Sequence, residues 1–271
     1  MSESAVYRPH PEAPARATLS PYVAKGAWKA FAAERFEVVS RGDFVPGILY
    51  RPSTSSDDSV PLLLLQHGTG ETRSAEGLEF AAAWVEEGFA IATLDLPLHG
   101  ERSSPKLSER LQHGIQSLDR GENLDPETHA LVEEFARQST SDLIRTIDAL
   151  SALPGIDANR VAFVGFGVGA RVGSYVLAAD ARPRAAVLVD IRGGVGPEDL
   201  DPARHLARAA EVSLLFVSAK DDEQTALEAV ASCFDAAAKP KSRIEVPSRA
   251  TPLPSSAIDE IQSFIDDAIG R

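Results

Sequence analysis

GFGVGA, residues 165–170, stands directly after the apolar run Val161-Ala162-Phe163-Val164 and before a stretch with helical character. A strand that passes into a helix through bare glycines uses them in one of two ways. Either a phosphate reaches the amide groups at the helix N-terminus, or the chain makes a sharp turn that presents one side chain. The spacing allows both. Gly165, Gly167 and Ala170 fit G-x-G-x-x-G/A, and Asp190, twenty positions after Ala170, ends the next strand where a ribose-binding acid would stand. Gly165 and Gly169 equally fit the flanks of G-x-S-x-G, with glycine at the central position 167.

Outward from this loop the chain alternates strands and helices. Upstream, LLLLQ (62–66) and FAIATLD (89–95) are apolar runs of the kind buried on both faces of a sheet. Between them lies a helix, LEFAAAWVEEG, that Gly88 would stop. Another helix carries Leu143, Ile147 and Leu150 on one stripe. Downstream come strand AAVLVD (185–190), a helix near 198–210, strand VSLLFVS (212–218), a helix from 223 and strand RIEV (243–246). The closing helix has the stripe Ile258, Ile261, Ile265, with Ser255 or Ser256 as its expected cap.

Nearer the N-terminus, FEVVS and FVPGILYRP flank Arg41-Gly42-Asp43 and predict an antiparallel hairpin. The whole pattern predicts the α/β class: a mostly parallel sheet with an N-terminal antiparallel hairpin and helices on both faces. Residues 1–34 read as a leader with a short helix at AWKAFAAERF, and 35–271 as a single domain. The polar stretch 96–138 is long for a connection and is expected to form a lid.

With 271 residues, 44% apolar and 25% charged, the chain can bury a sizeable core. Its net charge of -13 argues against nucleic acid or an anionic membrane as partner, and leaves small molecules open. The first residues lack a basic-then-apolar signal pattern, and no apolar run approaches a membrane span, so a cytoplasmic location is the expectation. Cys233, the one cysteine, lies in AVASCFDAA and reads as a small helix residue rather than a reactive thiol. No H-E-x-x-H or comparable spacing suggests a metal, and no cofactor is expected apart from the dinucleotide alternative.

Three further stretches carry a resemblance. LLLLQHGTG (62–70), DLPLHGERS (95–103) and LLFVSAKDD (214–222) stand in order around GFGVGA. Together they make the chain, from about 35 to 270, resemble the α/β-hydrolase superfamily, in its dienelactone hydrolase and acetyl xylan esterase-like branch. The resemblance implies an oxyanion loop at His67, Gly68 and Thr69, whose Thr69 N–H would act with that of Val168. It implies the acid at Asp221, with Asp222 as neighbouring candidate. It puts the nucleophile at Gly167, which has no side chain, and the base near Thr251, with no histidine beyond His205.

Hydrolysis on this fold needs a nucleophile, a base within reach of it and an acid that orients the base. With two of those positions vacant, the leading expectation is non-hydrolytic binding of a carbonyl or carboxylate compound, or an inactive pseudo-hydrolase. The alternatives are an ester or lactone hydrolase, or a cofactor-free lyase or isomerase, using His99 or His113, and dinucleotide binding at Gly165–Ala170. His67 reads as structural, and His99, Glu101 and Arg102 as substrate contacts or a surface ion pair.

Overall fold

The apolar runs become the middle of one nine-stranded sheet. The computed structural model describes residues 14–53, 59–209, 211–248 and 253–271. At one edge, β1 (Ala17–Pro21), β2 (Ala32–Ser40) and β3 (Asp43–Arg51) are antiparallel. β3 is also antiparallel to β5 (Ala90–Leu94). From β5 onward β4 (Val60–Gln66), β6 (Ile156–Phe166), β7 (Pro183–Val189), β8 (Ser213–Ala219) and β9 (Lys241–Val246) run parallel. The order across the sheet is β1-β2-β3-β5-β4-β6-β7-β8-β9.

The helices are α1 (Ala82–Glu86), α2 (Pro105–Asp119), α3 (Pro126–Ser151), α4 (Val168–Ala179), α5 (Pro202–Leu206), α6 (Gln224–Ala236) and α7 (Ser255–Ile269). They divide between two apolar layers, and the period of two along each strand divides the strand residues with them. Leu62 and Leu64 join Leu111, Ile115, Phe135, Leu143, Ile147 and Val172 on one face. Leu63 and Leu65 join Trp84, Val85, Ile261 and Ile265 on the other. All four strand leucines are wholly buried, and each stabilises the fold by about 1.5–3 kcal/mol relative to exposure.

The hairpin, the mostly parallel sheet and the helices on both faces are as the sequence predicts. The ends differ. Ala17–Pro21, inside the expected leader, is an edge strand paired with β2. AWKAFAAERF is not a helix: a short 3-10 turn, Gly26–Ala30, leads straight into β2. Here strand pairing overrides the helix propensity of the alanines. Trp28 stacks on Tyr50 at 4.2 Å between ring centroids, and Phe36 and Val38 alternate into the core. Ser255 and Ser256 do not cap α7, whose flanking residue is Pro254 without a side-chain cap. Segment 96–138 contains α2 and the first half of α3; Asp125 caps α3 by accepting the Glu127 and Thr128 N–H groups.

Candidate functional site

β6 runs out at Phe166, and the chain turns at Gly167 with φ +48° and ψ −109° before α4 begins at Val168. This is backbone that a residue with a side chain rarely adopts. The Gly167 N–H donates to the Val189 carbonyl at 2.9 Å, and its own carbonyl accepts the Arg171 N–H at 2.9 Å, which fix the turn from both sides. A Cβ placed on Gly167 would meet nothing within 4 Å. Its neighbours are the reverse. A Cβ on Gly165 would lie 2.6 Å from the Gly169 backbone, and one on Gly169 would lie 2.7 Å from the His67 carbonyl oxygen. The outer glycines are therefore required for packing α4 against β4 and β6, whereas position 167 faces open space.

That space is a cavity of about 280 Å³ at the C-terminal ends of the parallel strands, where open α/β sheets bind ligands. Thr69, Glu71, Asp119, Gly167, Asp190 and Ser218 supply the residues of its wall that matter here, and Leu78, Val217 and Leu253 add apolar surface. No histidine lines it among the described residues.

The loop after β4 is held from below. His67 is wholly buried; its Nδ1–H donates to the Gly68 carbonyl at 2.9 Å, and its Nε2 accepts the Leu96 N–H at 3.3 Å. Those bonds require a neutral ring, and burial lowers its pKa to about 4. The Gly68 N–H donates to Glu71 Oε2 at 2.7 Å. Further along, the Arg73 N–H donates to Asp95 Oδ1 at 2.9 Å, the Arg73 guanidinium reaches both Asp95 and Glu101, and the Glu101 N–H donates to Asp95 Oδ2 at 3.0 Å. Asp95, buried at the end of β5, thus anchors the loop carrying Gly68 and Thr69. The Thr69 N–H has no backbone partner among the described residues, and the N-terminal turn of α4, with the Val168 N–H, has no side-chain cap.

The other expected site residues separate. His99 is buried, donates from Nδ1 to the Pro97 carbonyl at 2.9 Å and packs 5.1 Å from the His67 ring and 6.0 Å from Phe135; it does not line the cavity. Burial lowers its pKa. His113 is exposed on α2, in a separate groove with Arg110 and Asp125. Glu101 and Arg102 do not line the cavity and belong to ion pairs, Glu101 with Arg35 and Arg73, Arg102 with Asp43 and the wholly buried Asp142. Asp221 is exposed on the turn after β8, while Asp222 is shielded and accepts Arg192 Nη2 at 3.1 Å. Arg192 Nε also lies 3.8 Å from Asp190 Oδ1. Asp190 takes a left-handed φ of +56° and its N–H bonds the Val217 carbonyl at 2.8 Å. Thr251 lies outside the described residues.

For the dinucleotide alternative at Gly165, Gly167, Ala170 and Asp190, Glu71 and Asp190 are both among the residues lining the space before α4, and their negative charge opposes a pyrophosphate there.

Three wall residues are not apparent from the sequence. Glu71 lies within HGTGE and reads there as part of a glycine turn. Asp119 comes from the end of α2, paired at 2.6 Å with the buried guanidinium of Arg171 on α4. Ser218 is buried on β8 and accepts Arg243 Nε at 3.2 Å. Away from the cavity, His129 and Glu133 on α3 and Asp199 bring three ligand-type atoms within 4.8 Å of one another, a grouping invisible to local spacing. Cys233 is buried, with its thiol pKa pushed up by that burial, as its small-residue setting leads one to expect.

No family model and no curated protein matches the chain. Solved structures do. An acetyl xylan esterase from Paenibacillus sp. R4 aligns with TM-score 0.70 and 16% identity over 94% of this chain and 88% of its own. A cold-adapted esterase from an Arctic intertidal metagenomic library aligns with TM-score 0.66 and 22% identity over 89% of this chain and 94% of its own. A protein assigned as a dienelactone hydrolase from Klebsiella pneumoniae aligns with TM-score 0.64 and 16% identity over 89% of this chain and 99% of its own. With the strand order, the turn at Gly167 and the cavity beyond it, these likenesses identify the architecture: the chain has the α/β-hydrolase fold.

Proposed function

We propose that this protein binds a small organic molecule in the cavity above Gly167 and does so without serine-triad hydrolysis. The reading takes Gly167 as the vacant nucleophile position, Thr251 as the vacant base position and the Asp221–Asp222 turn as the residual acid position. Of the two aspartates, Asp222 is shielded and engaged by Arg192, and Asp221 is exposed. The bound group would be a carbonyl or carboxylate oxygen facing the Thr69 and Val168 N–H groups.

The observation that carries the reading is the backbone at Gly167. It keeps the strained turn that presents a side chain, with room for one, and has no side chain to present. The absence of histidine from the described wall supports it. Without a base, even a serine there would stay a neutral hydroxyl, a weak nucleophile.

The test is turnover of short-chain activated esters by the natural protein, Gly167→Ser, and Gly167→Ser with Thr251→His. Asp221→Ala and Asp222→Ala are added in turn to the double variant. The expected result is a silent natural protein and a double variant that gains activity lost again with one of the two aspartates. Turnover by the natural protein that neither aspartate substitution affects would reject the reading.

A further inference from the structure

We infer that the ligand of this cavity carries a cationic group, an ammonium or its equivalent, and that Glu71 is the residue that meets it. This rests on the cavity being a binding site, as proposed above, and it selects among the ligands that proposal admits.

The charged side chains of the wall are all of one sign among the described residues. Three carboxylates line the cavity, those of Glu71, Asp119 and Asp190, and no Lys, Arg or His lines it among the described residues. Two of the three have a guanidinium behind them. Asp119 is paired at 2.6 Å with Arg171, and Asp190 has Arg192 at 3.8 Å. Glu71 has none among the described residues. The only bond of its carboxylate among them is the one Oε2 accepts from the Gly68 N–H at 2.7 Å. That bond fixes the carboxylate against the loop and leaves Oε1 without a donor from the described residues. A half-buried carboxylate held in place by one amide, with its second oxygen unmatched, is a prepared acceptor.

Its position also bears on what the loop can bind. Glu71 Oε2 already takes the Gly68 amide of the HGTG turn, so that turn holds an internal anion. A ligand carboxylate brought to the adjacent Thr69 N–H would sit beside a fixed negative charge, in a wall with no cationic side chain facing it among the described residues. A neutral carbonyl oxygen suffers no such repulsion. A ligand that pairs a carbonyl with a nearby ammonium satisfies both groups at once: the oxygen on Thr69, the ammonium on Glu71. The apolar remainder of such a molecule meets Leu78, Phe166 and Val217.

The test uses three probes of one shape and different charge: 2-phenylethylammonium, 2-phenylethanol and 3-phenylpropionate. Their dissociation constants are measured by ligand-observed NMR at low salt, for the natural protein and for Glu71→Gln, which keeps an acceptor for the Gly68 N–H. The ammonium is expected to bind about tenfold more tightly than the alcohol, and the carboxylate more weakly than the alcohol. Glu71→Gln should erase the ammonium's advantage and leave the alcohol within about twofold. If the alcohol binds but the ammonium has no advantage, or keeps its advantage in Glu71→Gln, the inference fails and the binding reading stands. A preference for the carboxylate overturns the inference in the same way. If none of the three binds at millimolar concentration, the binding reading fails and this inference with it. A thermal melt of Glu71→Gln within about 2 °C of the natural protein excludes unfolding as the cause of any loss.

Discussion

At the residue scale the turn at 165–169 contains glycines needed for different reasons. Gly169→Ala would drive a Cβ to 2.7 Å from the His67 carbonyl, and backbone has little freedom to yield. Gly167→Ala meets no atom and has only its backbone angle against it. The first substitution is expected to cost about 2–4 kcal/mol and the second about 1–2 kcal/mol, read from denaturant unfolding; equal costs would refute the distinction. The three glycines look alike in GFGVG, and the motif alone cannot say which spacing matters. The difference depends on the path of β4, whose carbonyls pass under Gly169 although the two segments are far apart in sequence. Glu71 is hidden for a related reason: a carboxylate three residues after Gly68 becomes notable only once the turn folds it back onto that amide.

His67 gives a second prediction at this scale. Its folded pKa, about 4, lies below the ordinary value of 6.5, so the unfolded chain binds the proton more readily. The stability it contributes is complete above pH 6.5 and is lost as pH falls toward 4. His99 and His205, also lowered by burial, act in the same sense. The unfolding free energy is expected to fall by roughly 1–3 kcal/mol across that window on account of His67. His67→Gln should flatten the slope by up to one proton, measured by urea melts at a series of pH values.

At the element scale, α3 is tied to the strands by a charge cluster around Arg102. Arg102, following β5, reaches Asp142 on α3 at 2.6 Å and Asp43 at the start of β3 at 2.9 Å. Asp142 is wholly buried, and desolvation raises its pKa against the pull of Arg102. Asp142→Ala removes the buried carboxylate from Arg102 Nη1, leaves only the exposed Asp43 on Nη2, and should cost about 3–5 kcal/mol. Arg102→Met with Asp142→Leu should recover most of that loss, because no charge remains buried; a double variant as unstable as the single one would show that the pair is worth more than its desolvation. Such ties are poorly legible in sequence, since Arg102 reads equally as a substrate contact or a surface pair. The elements they join are legible. LLLLQ and VSLLFVS are strands by apolar continuity alone, whereas ATLSP, with weak alternation and no apolar run, becomes a strand only because β2 offers an edge to pair with.

For the whole molecule, a net charge of -13 means that like charges repel across the surface. Raising salt from about 20 to about 200 mM screens that repulsion and should raise the melting temperature by a few degrees, with sodium chloride the simplest agent. A melting temperature that falls would mean that the exposed ion pairs, such as Arg120 with Glu122, outweigh the net repulsion. No helix among the described residues is long and apolar enough to cross a membrane.

The open space at position 167 has a consequence for inheritance. A glycine codon ending in a pyrimidine is a single base from serine, and the fold would receive that hydroxyl without repacking. Threonine stands farther from histidine in the genetic code. On the proposed reading, then, the empty turn is the easily reversed half of the change, and the vacant base is the half that makes it last.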